Sequence, residues 1–403
     1  MTRLVGAELF ELDLPFRRPF RHAAASRAGS RSVFLRCLTD TGHCGYGETL
    51  PRPYVTGEER GSTFDLLVER ILPRLLGTDF ASFAELHAFL VECDGKAPPS
   101  WLAPSVPQTA AWCLVDLALV DAFSRALGTD LRRAFAPEGA ARRTRPRLRN
   151  IRYAAVLSEA SRGRLLATLL RVRLYGIREV KVKVGHDSLE VVRLARWILG
   201  PGAALRVDAN MAWTYPEARS CISRMARYGV EMFEQPLPAH DLSAMAHLVE
   251  EFGCEVMADE SLHDAASLER LIAARACTAV NVRISKCGGL VASLARCRRA
   301  LEAGLTLQVG CQVGETSQLS AAQLLLIEMV GSGVRYAEGC FGERLLKTDP
   351  VRPTLQFRRG GRPPLAPRGA GFGTQVDMPT VRRHAGRRVA LGAAIPRQYQ
   401  ETQ

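Results

Sequence analysis

Six ionisable residues recur at nearly constant spacing in the second half of the chain, and their types are those that carry acid–base chemistry. They lie 25 to 29 residues apart, near the ends of short apolar runs. They are Lys183, Asp208, Glu234, Asp259, Lys286 and Glu315. One strand and one helix together take up about that length in a parallel barrel, so the spacing predicts that each charge stands at the end of a successive strand.

Three of these residues are carboxylates on consecutive strands, and they predict a metal site. The carboxyl ends of barrel strands meet on one face, so Asp208, Glu234 and Asp259 are expected to converge there. Carboxylates held together repel one another unless a cation lies between them. An oxygen donor set without histidine or cysteine favours Mg²⁺ over zinc, with Mn²⁺ as a substitute.

Two lysines flank the carboxylates in the strand order, and they predict proton transfer. The second and sixth strands of an eight-stranded ring lie opposite each other, so Lys183 and Lys286 would face one another across the metal. A lysine close to other cations loses its proton more easily and becomes a base near neutral pH. We therefore expect removal of the proton α to a carboxylate, with the metal stabilising the enolate.

The strand that carries Lys183 holds a second lysine on the same face. Side chains alternate along a strand, so Lys181 and Lys183 point to one side while Val180, Val182 and Val184 point to the other. The valines are expected to pack outward against helices. Both ammonium groups would then point into the mouth of the barrel.

The sequence pattern also predicts the strands and helices that position these residues. From residue 150 to 348, eight short β-rich runs alternate with helical stretches, which predicts a parallel α/β barrel. Residues 1–137 contain strands and then helices, with a polar loop from Arg17 to Arg31, and form an α+β module. Residues 137–149 are interpreted as a linker, and residues 349–403 are rich in proline and glycine.

Composition and charge exclude several classes of protein. Of 403 residues, 47% are hydrophobic and 24% charged, as in globular proteins. The net charge of +13 comes without a nucleic-acid motif, so we expect no nucleic-acid partner and a field that attracts small anions. Eleven cysteines form no paired framework, and no apolar run reaches membrane-span length. We expect a reduced, cytoplasmic protein that contacts no membrane.

The ordered motifs resemble those of the enolase superfamily, most closely its muconate-lactonizing-enzyme (muconate cycloisomerase) subgroup. Five motifs in the barrel region and two near the N-terminus carry the resemblance. They are Lys181–Lys183, Val207–Asn210, Glu234–Pro236, Ala258–Ser261 and Lys286–Gly289, with Gly45–Glu48 and Tyr54–Glu58. The resemblance implies an α/β fold, a modified TIM-type (β/α)7β barrel with an α+β capping domain to which residues 349–403 return.

The resemblance also implies roles for the residues around the metal. Asp208, Glu234 and Asp259 match the family's metal ligands. Glu260 is a rival to Asp259, which occupies the family's ligand position. Asn210 follows its aspartate as in the family and is expected to contact the metal ligands and not the metal itself.

For proton transfer, the resemblance assigns the remaining charged residues. Lys183 and Lys286 match the acid–base pair, and Lys181 matches the lysine that supports the enolate electrostatically. Glu315 matches a strand-seven glutamate near the substrate. The substrate is then a small carboxylate, and the activity that of an isomerase or lyase.

The fate of the enolate is left open by these residues. Cycloisomerisation, with lactone formation, is the first expectation. Racemisation or epimerisation of an N-acyl amino acid and elimination of the o-succinylbenzoate-synthase type begin with the same intermediate. From another class, a non-catalytic basic scaffold is the alternative, although buried charges without a purpose would cost several kcal/mol each.

Departures from the family bear on the substrate. Dipeptide epimerases carry an Asp-x-Asp on strand eight, where this chain has Glu338-Gly-Cys340, so dipeptides are disfavoured. A basic loop would lie over the site and suggests a second anionic group on the substrate, with a solvated loop as the alternative. Its residues are Arg17, Arg18, Arg21, His22 and Arg27. A homo-oligomer is expected only by analogy with the family.

Overall fold

A computed structural model describes residues 1–22, 25–136, 148–158, 161–185 and 188–393. These residues form a capping part built on a five-stranded antiparallel sheet and a barrel built on an eight-stranded parallel sheet. The predicted fold class, a (β/α)7β barrel with an α+β cap, is confirmed. No helix in the described ranges is both long and apolar enough to cross a bilayer.

The cap is formed mainly by the first third of the chain, where strands are followed by helices. Its strands are β1 (Thr2–His22), β2 (Ala25–Thr39), β3 (Cys44–Thr49) and β4 (Asp79–Phe80). Its helices are α1 (Pro53–Thr56), α2 (Arg60–Leu66), α3 (Leu72–Leu75), α4 (Phe83–Cys93), α5 (Thr109–Ala126) and α6 (Leu131–Ala134). A π-helical turn, Leu67–Ile71, joins α2 to α3.

Helix α5 lies directly on β3, and two glycines make this possible. A Cβ atom at Gly45 would lie 2.0 Å from the backbone nitrogen of Ala122, and one at Gly47 would lie 2.1 Å from the backbone oxygen of Leu114. Real Cβ atoms do not approach other atoms so closely. The Gly45–Glu48 motif therefore sets the distance between the sheet and the helix that forms the core of the cap.

The segment from Arg17 to Arg31, which was predicted as a polar loop, is instead part of a long β-hairpin. Strands β1 and β2 continue to pair as far as His22 and Ala25. The arm is held from outside the cap, because the Arg17 nitrogen donates to the Leu345 oxygen at 2.8 Å. These distant backbone hydrogen bonds override the polar composition.

The barrel alternates eight parallel strands with seven helices. The strands are β5 (Ala155–Leu157), β6 (Glu179–Lys183), β7 (Ala204–Asp208), β8 (Val230–Glu234), β9 (Glu255–Ala258), β10 (Ala279–Val282), β11 (Thr306–Val309) and β12 (Val334–Ala337). The helices are α7 (Arg162–Leu174), α8 (Leu189–Leu199), α9 (Tyr215–Ala226), α10 (Leu242–Phe252), α11 (Ala265–Ala273), α12 (Leu290–Glu302) and α13 (Ser317–Val330). A parallel bridge between Tyr153 and Ala337 joins the first and last edges.

Strand β10 is shorter than predicted. The β-rich run was expected to extend from residue 279 to 286, but the strand ends at Val282. The next residues form a helical turn in which the nitrogens of Lys286 and Cys287 both donate to the Arg283 oxygen at 2.9 Å. Lys286 therefore lies on a turn beyond the strand and not on the strand itself.

The end of the described chain returns to the cap sheet. It contains β13 (Val351–Arg352), β14 (Gln375–Val376), α14 (Met378–Arg383) and β15 (Ala385–Gly392). Strand β15 pairs antiparallel with β1, from Gly6–Gly392 to Leu12–Ala385. The predicted domain boundaries stay predictions, and most of the predicted linker, residues 137–147, lies outside the described residues.

Candidate active site

Three charged side chains lie in one row across neighbouring barrel strands. Lys183 pairs in register with Asp208, and Asp208 pairs in register with Glu234. Each is the last residue of its strand. The Nζ atom of Lys183 donates to Asp208 Oδ2 at 3.1 Å and to Asn210 Oδ1 at 2.7 Å. The row stands at the end of the barrel where enzymes of this architecture carry their active sites.

Lys181 lies one layer deeper and is surrounded by carboxylates. Its Nζ atom is 3.1 Å from both oxygens of Glu234, 3.2 Å from Asp208 Oδ2 and 2.7 Å from Glu338 Oε2. Burial alone would favour the neutral amine, but the three carboxylates raise the pKa of Lys181 well above its usual range. Although burial acts in the opposite direction, Lys181 and Lys183 hold the pKa of Asp208 well below its usual range. Lys181 is thus a permanent cation.

A second layer of ionic contacts, which was not predicted from the sequence, holds Lys181 from below. Glu338 pairs through its other oxygen with Arg206, whose NH2 lies 3.2 Å away. The Arg206 guanidinium is fully buried, contacts Gln308 Oε1 and lies 4.4 Å from the centre of the Tyr336 ring. The alternation along β7 is the signal that could have found it, because Arg206 precedes Asp208 by two residues and points to the same side.

Lys286 lies on the other side of the carboxylates, just after β10, which is four strands away from β6, the strand that carries Lys183. Its Nζ atom donates to Asp259 Oδ1 at 2.9 Å and to the Asn281 oxygen at 3.0 Å. Burial and the neighbouring Arg283 guanidinium lower the pKa of Lys286 to about 8. Arg283 also contacts the Asp259 carboxylate directly. The sequence analysis did not single out Arg283.

Glu260 lies next to Asn210 and within the electrostatic influence of Asp208 and Glu234. Its Oε1 atom accepts a hydrogen bond from Asn210 Nδ2 at 3.2 Å, while its buried Oε2 has no partner among the described residues. Burial and the negative charges of Asp208 and Glu234 raise the pKa of Glu260 to about 7. The choice between Asp259 and Glu260 as third ligand therefore stays open.

Glu315 follows β11 and is buried near the mouth. Its Oε1 atom accepts a hydrogen bond from the backbone nitrogen of Gln312 at 2.5 Å. Burial raises the pKa of Glu315 to about 8. The side chain is therefore largely protonated at neutral pH and can donate a hydrogen bond to a ligand oxygen.

The donor chemistry of this cluster fits a divalent metal ion of the Mg²⁺ type. Carboxylate oxygens are the ligands that Mg²⁺ prefers, and Glu260 offers a buried oxygen without a partner. No three of the described Asp, Glu, His or Cys side chains are already arranged around one point. The reason is visible in the contacts, since Lys181 lies between Asp208 and Glu234 while Asp259 turns toward Lys286 and Arg283.

The cap contacts the barrel at the same end. Glu48 of β3 accepts hydrogen bonds from Thr316 at the start of α13, at 2.7 to 3.1 Å. Arg52 donates to the Val313 oxygen at 3.3 Å, beside the loop that carries Glu315. The loop that follows β11 is therefore contacted by cap residues.

A basic cavity of about 750 Å³ lies in the cap and is lined by cap residues. Its charged lining residues are four arginines and two carboxylates, namely Arg27, Arg31, Arg52 and Arg60 with Asp13 and Glu59. Asp13 pairs with Arg31 and Arg60. Burial and the charges of Arg27 and Arg31 lower the pKa of Arg52 to about 10. Arg27 donates to the Tyr54 hydroxyl at 2.9 Å, whereas Arg17 and Arg18 are exposed. The side chains of Arg21 and His22 lie outside the described residues.

Comparison with known proteins identifies the family. Residues 164–380, more than half of the chain, match the family model described as Enolase C-terminal domain-like. The chain belongs to this family and is an enzyme of the enolase superfamily. The resemblance found in the sequence motifs is thereby confirmed.

Individual relatives differ in the reactions that their names describe. The chain is 26% identical over 324 residues to the N-succinyl-L-Arg/Lys racemase of Bacillus cereus, covering 79% of this chain and 82% of the relative. It is 27% identical over 393 residues to muconate cycloisomerase 1 of Rhodococcus opacus, covering 94% and 97%. A dipeptide epimerase from Cytophaga hutchinsonii, crystallised with Mg and D-Ala-L-Val, superimposes with a TM-score of 0.82 at 22% identity, covering 96% and 99%.

Proposed function

We propose that the chain interconverts the two enantiomers of an N-acyl amino acid by removing and returning the proton α to its carboxylate. One observation carries the proposal: Lys183 and Lys286 lie on either side of a row of carboxylates, four strands apart. Removing a proton from one face of a carbon and returning it to the other needs two acid–base groups. Lactone formation needs only one, so racemisation replaces cycloisomerisation as the first candidate.

We propose Mg²⁺ as the cofactor, with Mn²⁺ as a substitute, held by Asp208, Glu234 and Asp259. Glu260 is the alternative third ligand because it shares the charge environment of the first two. The ion would bind the substrate carboxylate and stabilise the negative charge that develops on its oxygens. The similarity to an epimerase crystallised with Mg supports this assignment.

The chain's own residues divide the proton transfer between them. Lys286, with its pKa lowered to about 8, has a neutral fraction that can accept the α-proton. Lys183 in its charged form returns a proton from the opposite face, and the two roles exchange for the other enantiomer. Lys181 stays charged and stabilises the enolate without moving a proton. Protonated Glu315 donates a hydrogen bond to the substrate.

We propose that the acyl group carries a second negative charge, as in an N-succinyl amino acid. The basic cavity supports this, because the Arg52 Nε atom is buried without a described hydrogen-bond partner. A dipeptide would need a carboxylate free to bind its ammonium group. Glu338 is not free for that purpose, because both of its oxygens are paired with Lys181 and Arg206.

A muconate-cycloisomerase-like reaction is the second candidate. The observation that favours it is the similarity to muconate cycloisomerase 1 over 94% of the chain, more than the 79% shared with the racemase. Its substrate would also be dianionic, so the basic cavity does not separate the two reactions. For either reaction we propose a cytoplasmic setting, which the eleven free cysteines favour.

The test is deuterium incorporation at Cα in D2O with Mg²⁺, followed by NMR for a panel of N-succinyl amino acids. We expect exchange and racemisation of at least one N-succinyl compound. The matched N-acetyl compounds lack the second charge and are expected to exchange at least about 10-fold more slowly, a loss of about 1.4 kcal/mol. Dipeptides are expected to exchange no faster than the N-acetyl compounds.

Two outcomes would contradict the proposal. One is exchange with no N-succinyl compound while cis,cis-muconate is converted to its lactone, which would establish the second candidate. The other is exchange that survives unchanged in Asp208→Asn. Because that carboxylate lies against both Lys181 and Lys183, its loss is expected to remove activity under any version of the proposed chemistry.

A further inference from the structure

The two proposed acid–base lysines are anchored differently. Lys183 hydrogen-bonds to Asp208 and Asn210, which are both barrel residues. Within the described parts of the chain, no cap residue bonds to Lys183. Lys286 instead lies in a turn, residues 283–289. The cap contacts the chain at two points near it, at Ser285 before Lys286 and at the start of α12 after the turn. We call this turn the Lys286 segment.

The first cap contact lies just before Lys286. The backbone nitrogen of Leu50, which follows β3, donates to the Ser285 hydroxyl at 3.1 Å. The Thr49 hydroxyl lies 3.3 Å from the same atom. The hydroxyl of Ser285 is therefore fixed by the cap sheet, one residue away from the lysine.

The second contact lies just after the Lys286 segment, at the start of α12. Asp116 of α5 is fully buried, and its carboxylate accepts hydrogen bonds from the nitrogens of Leu290 at 2.6 Å and Val291 at 3.4 Å. These are free backbone donors at a helix N-terminus, where a negative charge is favourable. Both described hydrogen bonds of this cap carboxylate thus go to the barrel, and none goes to the cap.

The surfaces at this contact also fit closely. A Cβ atom at Gly289 would lie 2.4 Å from the Cβ of Asp116, and one at Gly288 would lie 2.4 Å from the Cα of Gly95. Both glycines have a positive φ, at 106° and 83°. The Lys286 segment can therefore take this path only because positions 288 and 289 carry no side chains.

The turn itself is tight, so its two ends determine where Lys286 lies. The Gly289 nitrogen donates to the Ile284 oxygen at 3.1 Å, and the Lys286 nitrogen to the Arg283 oxygen at 2.9 Å. A shift of α12 would be passed through these bonds to the lysine. A displacement of about 1 Å at a reacting group can cost about 100-fold in rate.

We propose that Asp116 is a positioning residue for Lys286, so that the cap places one of the two acid–base lysines while the barrel alone places the other. This inference rests on the proposed two-lysine reaction. It predicts that weakening the contact between Asp116 and α12 impairs only the proton transfer that uses Lys286. Proton exchange would then continue for one enantiomer while racemisation is lost.

The test compares Asp116→Asn with the parent in D2O, with each enantiomer of the N-succinyl amino acid that the parent exchanges fastest. The enantiomer that depends on Lys286 is defined by its loss of exchange in Lys286→Ala. For that enantiomer we expect Asp116→Asn to slow exchange by about 10- to 100-fold. For the other enantiomer we expect a change of less than about threefold. Equal slowing of both enantiomers would overturn the inference.

Asp121→Asn is the matched control. Asp121 is also a fully buried carboxylate of α5, but it accepts hydrogen bonds from Tyr46 and Phe372, pairs with Arg125, and receives none of the described bonds from the start of α12. It should lower stability without changing the ratio of the two exchange rates. If Asp116→Asn fails to fold, Ser285→Ala removes the other cap contact and should shift the ratio in the same direction by about two- to fivefold. An unchanged ratio in Ser285→Ala would then overturn the inference.

Amide hydrogen exchange of peptides that cover residues 283–291 provides a measurement that needs no substrate. We expect exchange at least about 10-fold faster in Asp116→Asn than in the parent, and unchanged in Asp121→Asn. Unchanged exchange in Asp116→Asn would overturn the inference whatever the substrate. If the parent exchanges no α-proton, the proposed function fails, while this measurement still decides whether the cap holds the Lys286 segment.

Discussion

At the scale of single residues, the most informative side chain is Lys181. A cation buried in a protein interior would be costly alone, yet three carboxylates lie within 3.2 Å of its Nζ atom. Glu338 also faces a second, fully buried cation, Arg206. Among the described contacts, Glu338 therefore links the proposed site to the buried layer below it.

This pairing predicts the effect of removing one charge. In Glu338→Gln, Arg206 keeps its burial but loses its anionic partner, and an unpaired buried charge is expected to cost about 3 kcal/mol in the free energy of unfolding. Chemical denaturation measures the loss. Glu343→Gln is the matched control, because Glu343 follows in the same loop and forms only a half-exposed ion pair with Arg352 at 3.6 Å. Its loss should cost less than about 1 kcal/mol. Equal costs would contradict the view that Glu338 balances a buried charge.

The sequence predicts part of this arrangement. Alternation along one strand places Lys181 beside Lys183, and the repeat of strand and helix places Asp208 and Glu234 on adjacent strands. The partnership with Glu338 depends on ring closure, which brings β12 close to β6 across β5. No local pattern contains that information, so Glu338 and Arg206 were not assigned a role.

At the scale of elements, the contact between β3 and α5 determines the architecture of the cap. Gly47→Ala would force a methyl group to within 2.1 Å of the Leu114 oxygen, and we expect a loss of about 3 kcal/mol or more in the free energy of unfolding. Gly61→Ala in α2 is the matched control, because nothing lies within 4 Å of its added Cβ. It should stabilise the protein by about 0.5 to 1 kcal/mol. A tolerated Gly47→Ala would show that α5 can move off the sheet.

The start of α5 predicts a dependence of stability on pH. Glu58 is buried and accepts hydrogen bonds from the nitrogens of Ala110 and Ala111 at 2.8 and 2.9 Å. Burial nevertheless raises the pKa of Glu58 to about 7. The pKa of Glu58 is higher in the folded state than in the unfolded state. Its contribution to the free energy of unfolding is therefore fully present below about pH 4.5 and is lost as the pH rises through 7.

The predicted fall in stability with rising pH is tested by measuring the free energy of unfolding of the parent and of Glu58→Gln at several pH values. The amide of the variant does not titrate. Between pH 4.5 and pH 8 the parent should lose up to about 3 kcal/mol relative to this variant. A difference that stays constant with pH, or that grows in favour of the parent, would contradict the raised pKa.

The two elements that were predicted wrongly have a common physical cause. The arm of β1 and β2 was predicted as a loop and β10 was predicted to reach residue 286. In both places the backbone hydrogen bonds, and not the side-chain pattern, decide the conformation. The arm is held by Leu345, and the turn after β10 is held by Arg283. Such bonds join residues whose pairing is not encoded in periodicity.

At the scale of the whole molecule, the cap contacts the barrel at the end that carries the candidate site. The barrel supplies the carboxylates and Lys183, while the cap contributes the contacts to Ser285 and to the start of α12. The barrel pattern was predictable because each repeat is local. The way the cap docks on it was not, because it rests on contacts such as Asp116 with Leu290, 174 residues apart.

Metal binding should stabilise the whole molecule. At a Mg²⁺ concentration about 100-fold above its dissociation constant, binding to the folded state adds about 2.7 kcal/mol and should raise Tm by about 3 °C. Asp208→Asn should abolish the shift. Asp349→Asn, in which a buried carboxylate bound to Ser317 is changed instead, should keep it. A shift that persists in Asp208→Asn would place the ion elsewhere.

The most direct test of the two-sided reaction is the exchange of each substrate enantiomer by two variants in D2O. We predict that Lys183→Ala and Lys286→Ala both lose racemisation. Each should keep α-proton exchange for one enantiomer, and the two retained enantiomers should be opposite. Racemisation that survives in either variant, or loss of exchange for the same enantiomer in both, would contradict the assignment of the two lysines to opposite faces of the substrate.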